Sequence, residues 1–192
     1  FVQRLGQTIK DRKPWVKFGV SPFGIYHNAK PGDTVPGSET RGLQNYDDLY
    51  ADVLLWVNNG WVDYCVPQLY WKIGHPTADY QTLAIWWNKY AGNRPLYIGE
   101  SVERTVKEPD LNNPKTNQME AKFKLRRNLP NVQGAVLWYA KAVADNMGNY
   151  GSALRTYYWK TPALQPLMPF IDHKRPKKPK HLQAVWTSDG LV

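Results

Sequence analysis

Four short apolar runs, each preceded by a segment of helical periodicity, constrain the fold of this chain more than any other feature. The runs occupy residues 16–20, 62–69, 96–98 and 134–138. The helical segments occupy residues 1–11, 47–59, 80–90, 117–128 and 150–158. Nearly continuous apolar strands that are separated by helices are typical of a parallel sheet covered on both faces. The sequence therefore predicts an α/β fold.

Two architectures fit this alternation: a small doubly wound sheet, and part of an eight-stranded β/α barrel, which typically takes about 250 residues. Four strands in 192 residues correspond to about half a barrel. The helical pattern is already under way at Phe1, so we expect the chain to be a piece of a longer protein. Half a barrel has two unpaired edges, which permit self-association if no missing segment completes it.

Long polar connections follow the predicted strands, whereas short turns precede them. The long connections span residues 27–44, 101–116 and 140–151. Loops of this length are usually functional, and ligands of parallel α/β folds bind at the carboxyl ends of the strands. We therefore expect the functional site at that end of the sheet.

The net charge of +9 comes from 25 basic and 16 acidic residues, and part of it is concentrated in residues 172–181. This stretch alternates Lys with Pro and contains no aromatic side chain for base stacking, so we interpret it as a solvated linker and expect no nucleic-acid partner. The alternating pattern of residues 181–186 predicts an edge strand or the start of another domain. We therefore divide the chain into a barrel domain at residues 1–171 and a linker with a first strand at residues 172–192.

Motifs for cofactor chemistry are missing from the sequence. It contains no phosphate-binding glycine loop, dinucleotide fingerprint, zinc-binding helix or nucleophile elbow. Its four histidines are scattered along the chain. The sequence accordingly predicts neither a metal site nor a cofactor.

Aromatic and amide side chains cluster where the predicted strands end. A sugar presents C–H groups on its faces and hydroxyls at its edges, which suits flat aromatic rings beside hydrogen-bonding amides. The alternative is that these aromatic residues only fill the mouth of a barrel. The predicted substrate-binding residues are Ser21, Tyr26, Asn28, Gln68, Tyr70, Trp71 and Trp138.

Glu100 is the only carboxylate directly at the end of a predicted strand, which makes it the candidate catalytic acid of a glycoside-cleaving site. The alternatives are an ion pair with Arg104 or Lys107, or a hydrogen bond to substrate. Glycosidases usually need a second carboxylate, and no second candidate is evident. Asp63 lies at the amino end of its strand, where we expect a structural role.

Three segments carry a resemblance to a known family. They span residues 15–26, 46–52 and 60–71, and residues 96–99 and 162–164 fit later parts of the same pattern. Over roughly residues 1–170 the chain resembles the bacterial glycosyl-hydrolase-like family 10. The resemblance implies part of a (β/α)8 TIM barrel, approximately strands five to eight with their helices. It also implies a fibronectin type III domain that starts near Pro179.

The resemblance further implies a protein of the periplasm, the cell envelope or the secreted fraction that acts on a bacterial cell-wall glycan. By residue, it points to Ser21, Asn28, Gln68, Tyr70 and Trp71 as lining the cleft. The family's Asp-Asp motif of the fourth strand is absent, and relatives often carry an amide at the position of Glu100. We therefore expect a glycoside hydrolase fragment that is inactive alone. The alternative is a non-catalytic carbohydrate-binding envelope protein.

Overall fold

A computed structural model of the chain describes residues 1–171, 177–178, 180, 183–188 and 190–191. Helices and strands alternate along it. In chain order they are α1 Val2–Arg12, β1 Gly19–Val20, α2 Val53–Asn58, β2 Tyr64–Cys65, α3 Tyr80–Tyr90, β3 Leu96–Ser101, α4 Val102–Lys107, α5 Met119–Arg127, β4 Val132–Trp138, α6 Ala140–Ala144, a 3-10 turn Met147–Asn149, α7 Tyr150–Ala153, a π-helical turn Leu154–Tyr158, and the hairpin strands β5 Trp186–Thr187 and β6 Gly190–Leu191.

The first four strands form one parallel sheet in the order β1-β2-β3-β4. Each strand therefore lies beside its predecessor in the chain, with no reversal of direction across the sheet. A doubly wound sheet reverses its strand order at a switch point, whereas a β/α barrel adds its strands sequentially. The sheet is part of a TIM barrel, which confirms the predicted fold class and resolves the two alternatives.

The helices cover one face of this sheet. Leu96 and Ile98 of β3 point into the core that contains Trp87 and Leu83 of α3, and all four side chains are fully buried. Successive residues of a strand point to opposite faces, so Tyr97 points to the other face, the interior of the barrel. There the described residues leave much apolar surface open, and Trp138 is 60% exposed.

Asp63 fixes the amino end of the sheet. Its carboxylate accepts a hydrogen bond from the Phe18 amide at 2.7 Å and forms an ion pair with Lys10 of α1 at 2.7 Å. One side chain thus joins α1, the segment before β1 and the start of β2. This confirms the structural role predicted for Asp63.

The predicted helix over residues 47–59 is wrong at its start. The structure begins α2 at Val53, because Asp52 is the N-cap and accepts a hydrogen bond from the Leu55 amide at 2.9 Å. The backbone of Tyr50, with φ of 50°, is left-handed and cannot continue a helix.

Two of the predicted long loops also contain helices. Helix α4 lies in the predicted loop 101–116, and α6 lies in the predicted loop 140–151. The Ser101 hydroxyl starts α4 by accepting a hydrogen bond from the Arg104 amide at 3.3 Å.

At the carboxyl end, Trp186 is the residue of the predicted strand 181–186 that the described part of the chain places in a strand, β5. Residues 183–185 are not in a strand, and 181–182 lie outside the described residues. The domain boundary at residue 171 and the fibronectin type III start stay predictions. None of the helices in the described ranges has the length and apolar character needed to cross a bilayer.

Candidate functional site

Ser21 and Gln68 meet at the carboxyl ends of β1 and β2. The Gln68 amide nitrogen donates to the Ser21 carbonyl oxygen at 3.0 Å and lies 3.3 Å from the Ser21 hydroxyl. Parallel bridges from Gln68 to Phe23 and to Gly99 extend the ladder to this point. The Gln68 side-chain oxygen takes no part in the contact with Ser21, so it is available to accept a hydrogen bond from a ligand.

Trp71 forms an aromatic corner beside this pair. Its ring packs edge-to-face against Phe23, with centroids 5.6 Å apart. Gly24 permits the close approach, because a Cβ there would lie 2.4 Å from the Trp71 ring and 2.5 Å from the Gln68 carbonyl oxygen. Sequence reasoning missed the role of Phe23, although its position two residues after Ser21 in a strand-end segment was the available signal.

Tyr70 and Trp138 extend the aromatic surface along the sheet. Tyr70 is half-buried, and burial raises the pKa of its hydroxyl, which therefore stays a neutral donor. Trp138 ends β4 in register with Ser101, and its peptide bond to Tyr139 is cis. With adjacent strands about 4.8 Å apart, the rim from Ser21 to Trp138 extends over roughly 14 Å.

The barrel-facing side of the sheet carries an aromatic pair that the sequence analysis did not identify. Tyr64 and Tyr97 lie edge-to-face with ring centroids 6.0 Å apart. They belong to adjacent strands, and Gly19 and Gly134 leave room for their rings. The alternation of Tyr64, Val66 and Gln68 along one strand was the signal that could have found this face.

Glu100 lies on the opposite face of β3, among the helices. It shares the phase of Leu96 and Ile98, its side chain is fully buried, and it forms an ion pair with Arg126 of α5. The Tyr150, Thr105 and Tyr80 hydroxyls donate to the same carboxylate at 3.0, 3.2 and 3.4 Å.

The expectation that this carboxylate faces the cleft is therefore corrected, because strand alternation directs Glu100 away from the barrel interior. Its predicted partners Arg104 and Lys107 are likewise replaced by Arg126. Catalysis by Glu100 stays a prediction, and this placement argues against it.

Tyr26 and Asn28 are also separated from the rim pair. Tyr26 is 3% exposed, stacks on Trp86 and donates its hydroxyl to Asp52 at 2.8 Å, which places it in the helical layer. The Asn28 amide holds its own loop together, because it donates to the Gly42 carbonyl at 2.9 Å and accepts from the Thr40 hydroxyl at 3.0 Å. Substrate binding by either residue stays a prediction.

Within the described residues, no group of three or more His, Cys, Asp and Glu side chains is arranged to hold a metal ion. His27, which is buried, contacts Asp33 at 2.7 Å through its Nε2 atom. This contact anchors the loop that follows β1. Cys65, fully buried in the core, has its thiol pKa raised to about 12 by burial.

Sequential parallel strands with aromatic and amide side chains at their carboxyl ends define a β/α-barrel protein with a candidate site at the mouth of the barrel. The sequence pattern of a family described as Glycosyl hydrolase-like 10 matches residues 1–118. The chain belongs to this family, which confirms the resemblance.

Curated relatives support this assignment. The chain is similar to Glycosyl hydrolase YngK of Bacillus subtilis (strain 168), with 41% identity over 194 residues that cover 98% of this chain and 37% of the relative. It is also similar to Glycosyl hydrolase DigH of Escherichia coli (strain K12), with 36% identity over 144 residues that cover 71% of this chain and 32% of the relative. The chain thus spans about a third of the length of these relatives.

Proposed function

We propose that this chain supplies the sugar-binding rim of a glycoside hydrolase that acts on a bacterial cell-wall or related glycan. The observation that carries the proposal is the joint placement of Ser21, Gln68, Trp71 and Trp138 at the carboxyl ends of the parallel strands. Membership of a glycosyl hydrolase-like family supports it. A location in the periplasm, the cell envelope or the medium is part of the same proposal.

The rim offers the two kinds of contact that a sugar needs. Trp71 and Trp138 present apolar rings to the C–H faces of a sugar. The Gln68 side-chain oxygen accepts from a hydroxyl, and the half-buried Tyr70 hydroxyl donates to an oxygen. Binding at this rim requires no charge on the ligand.

Hydrolysis requires more than this rim provides. Glycosidases usually use two carboxylates about 5 to 9.5 Å apart, on either side of the scissile bond. The barrel-facing residues of the described strands are small, aromatic, aliphatic or amide residues, while Glu100 faces the helices. On this proposal the carboxylates come from outside these four strands, and the 192-residue chain binds glycan without cleaving it.

The experiment combines a binding measurement with product analysis on one sample. The chain is titrated with peptide-free peptidoglycan strands in a calorimeter, and the mixture is then analysed by mass spectrometry for released sugars. Binding without products supports the proposal. Released sugars would contradict the expectation that the catalytic carboxylates lie outside these four strands. A lack of binding would contradict the proposal that the rim binds sugar.

Two exposed tryptophans provide a matched pair of variants. Trp138→Ala removes a ring from the rim, and we expect about tenfold weaker binding, as for a typical aromatic anchor. Trp15→Ala removes a ring of similar exposure, 68% against 60%, that precedes β1 at the opposite end of the sheet. W15A should bind as the unaltered chain does; equal losses in both variants would contradict a site at the rim.

A second candidate is a non-catalytic carbohydrate-binding protein of the cell envelope. The position of Glu100, buried and ion-paired on the helix side, is the observation that favours it. A complete barrel that binds the glycan strands but releases no product after long incubation would support this candidate.

A further inference from the structure

The segment that carries Tyr70 and Trp71 leaves the sheet, so that no strand among the described residues pairs its backbone groups. Side chains of α4 and α5 form hydrogen bonds with these backbone groups. The Lys122 amino group donates to the Trp71 carbonyl at 3.0 Å, and the Arg104 guanidinium donates to the Tyr70 carbonyl at 3.3 Å. The contact at Trp71 is partly buried, and the contact at Tyr70 is exposed. Because an unpaired buried backbone group is costly, the contact at Trp71 in particular favours one path for the segment.

Gln118 completes this arrangement two residues further along. Its side-chain oxygen accepts from the Ile73 amide at 2.8 Å, and its nitrogen donates to the Ile73 carbonyl at 3.1 Å. The same nitrogen lies 3.1 Å from the Pro109 carbonyl of the loop before α5. One amide therefore pairs with both backbone groups of Ile73, as a neighbouring strand would.

The side chains of Gln118 and Lys122 are both removed from solvent. Gln118 and Lys122 are each 1% exposed. Lys122 also donates to the Thr105 hydroxyl at 2.9 Å and lies over the Tyr80 ring at 4.4 Å. A buried lysine and a buried glutamine cost desolvation energy that apolar side chains of similar volume would avoid. Their retention in the core is explained by the backbone groups that they pair.

The contacts extend from the rim into the helical layer without a break. Thr105, which accepts from Lys122, donates to Glu100 at 3.2 Å, and Glu100 pairs with Arg126. The aromatic segment is thereby tied to β3, α4 and α5 at once. A side chain that contacts no ligand can then set the position of the Trp71 ring.

We propose that Gln118 and Lys122 are positioning residues for glycan binding, which hold the segment 70–73 in the conformation that presents Tyr70 and Trp71. The inference rests on the proposed function of the rim. It assigns a role in ligand binding to two side chains that lie behind the rim and contact its backbone only.

The test measures two quantities separately: the rate of amide hydrogen exchange in the segment and the affinity for the glycan. In Gln118→Met and Lys122→Met, amide hydrogen exchange of a peptide covering residues 69–77 should become about tenfold faster. The dissociation constant for peptide-free peptidoglycan strands should rise about tenfold in the same variants. Arg104→Met, at an exposed position, should fold normally and show smaller changes of the same sign.

Lys10→Met is the control, because it removes an ion pair at the amino end of the sheet and should lower stability without altering either readout. Unchanged exchange in Q118M, K122M and R104M, or equal acceleration in K10M, would overturn the inference. Faster exchange with unchanged affinity would also overturn it. If the unaltered chain binds no glycan, the proposed function fails. The exchange rates of the variants then still show whether Gln118 and Lys122 hold the segment 70–73.

Discussion

Replacing Arg126 by Met should destabilise the fold strongly, because it leaves the Glu100 carboxylate buried without its cation. Removing one partner of a buried ion pair costs about 3–5 kcal/mol. Three hydroxyl donors remain around this carboxylate, from Tyr150, Thr105 and Tyr80, so we expect a value near the lower limit, about 3 kcal/mol. With a urea dependence of about 2 kcal/mol/M, the unfolding midpoint should fall by about 1.5 M.

The assay is urea unfolding followed by circular dichroism, with Arg127→Met as the matched control. Arg127 neighbours Arg126 on α5 but is exposed and donates to the Tyr158 carbonyl, so its loss should cost less than about 0.5 kcal/mol. If R126M does not fold, the double variant with Glu100→Gln should recover a folded state, because both charges are then absent. A cost for R126M below about 1 kcal/mol, or strictly additive single and double variants, would refute the buried-pair reasoning.

Three further predictions concern protonation, packing and the helical layer. Burial lowers the pKa of Lys122 from 10.5 to about 7, so the unfolded chain binds more protons between those values. Stability relative to Lys122→Met should therefore rise from pH 7 to 10, and urea unfolding that shows no such rise would contradict it. Gly24→Ala should cost about 1–3 kcal/mol and weaken glycan binding, because the new methyl meets the Trp71 ring; calorimetric affinity no different from the unaltered chain would be the contrary result. Tyr26→Phe should cost about 1 kcal/mol of stability, because the hydrogen bond to Asp52 is lost, and should leave the glycan affinity unchanged. A loss of affinity in calorimetric titration would instead indicate that Tyr26 contacts the ligand.

The strands and most helices could be predicted from the sequence because their patterns are local. The run 96–98 is apolar and short, and the structure extends it to Ser101. Short helices were harder to identify: α4 has few apolar positions, and its main signal was the Ser101 cap. The periodicity of strands and helices left the barrel and the doubly wound sheet unresolved, because the order of strands is a tertiary property; the family resemblance favoured the barrel.

The candidate site was predictable in its position but not in all of its members. Ser21, Gln68 and Trp71 were recognisable as strand-end residues, and the structure brings them together. The orientation of Glu100 could have been predicted, since it lies on the same face of the strand as Leu96 and Ile98. The burial of Gln118 and Lys122 could not be predicted, because such side chains are rarely buried and their partners are backbone groups 45 and 51 residues away in the chain.

The side-chain contacts that run from the helices to the rim have a consequence for how specificity in such a protein can change. A substitution in α5 alters the shape of the opening without replacing a residue that lines it. Laboratory selection for a new ligand should therefore recover mutations in the helical layer near Gln118 as well as in the loops. Libraries confined to the residues that line the mouth of the barrel would miss the positions that hold its aromatic segment from behind.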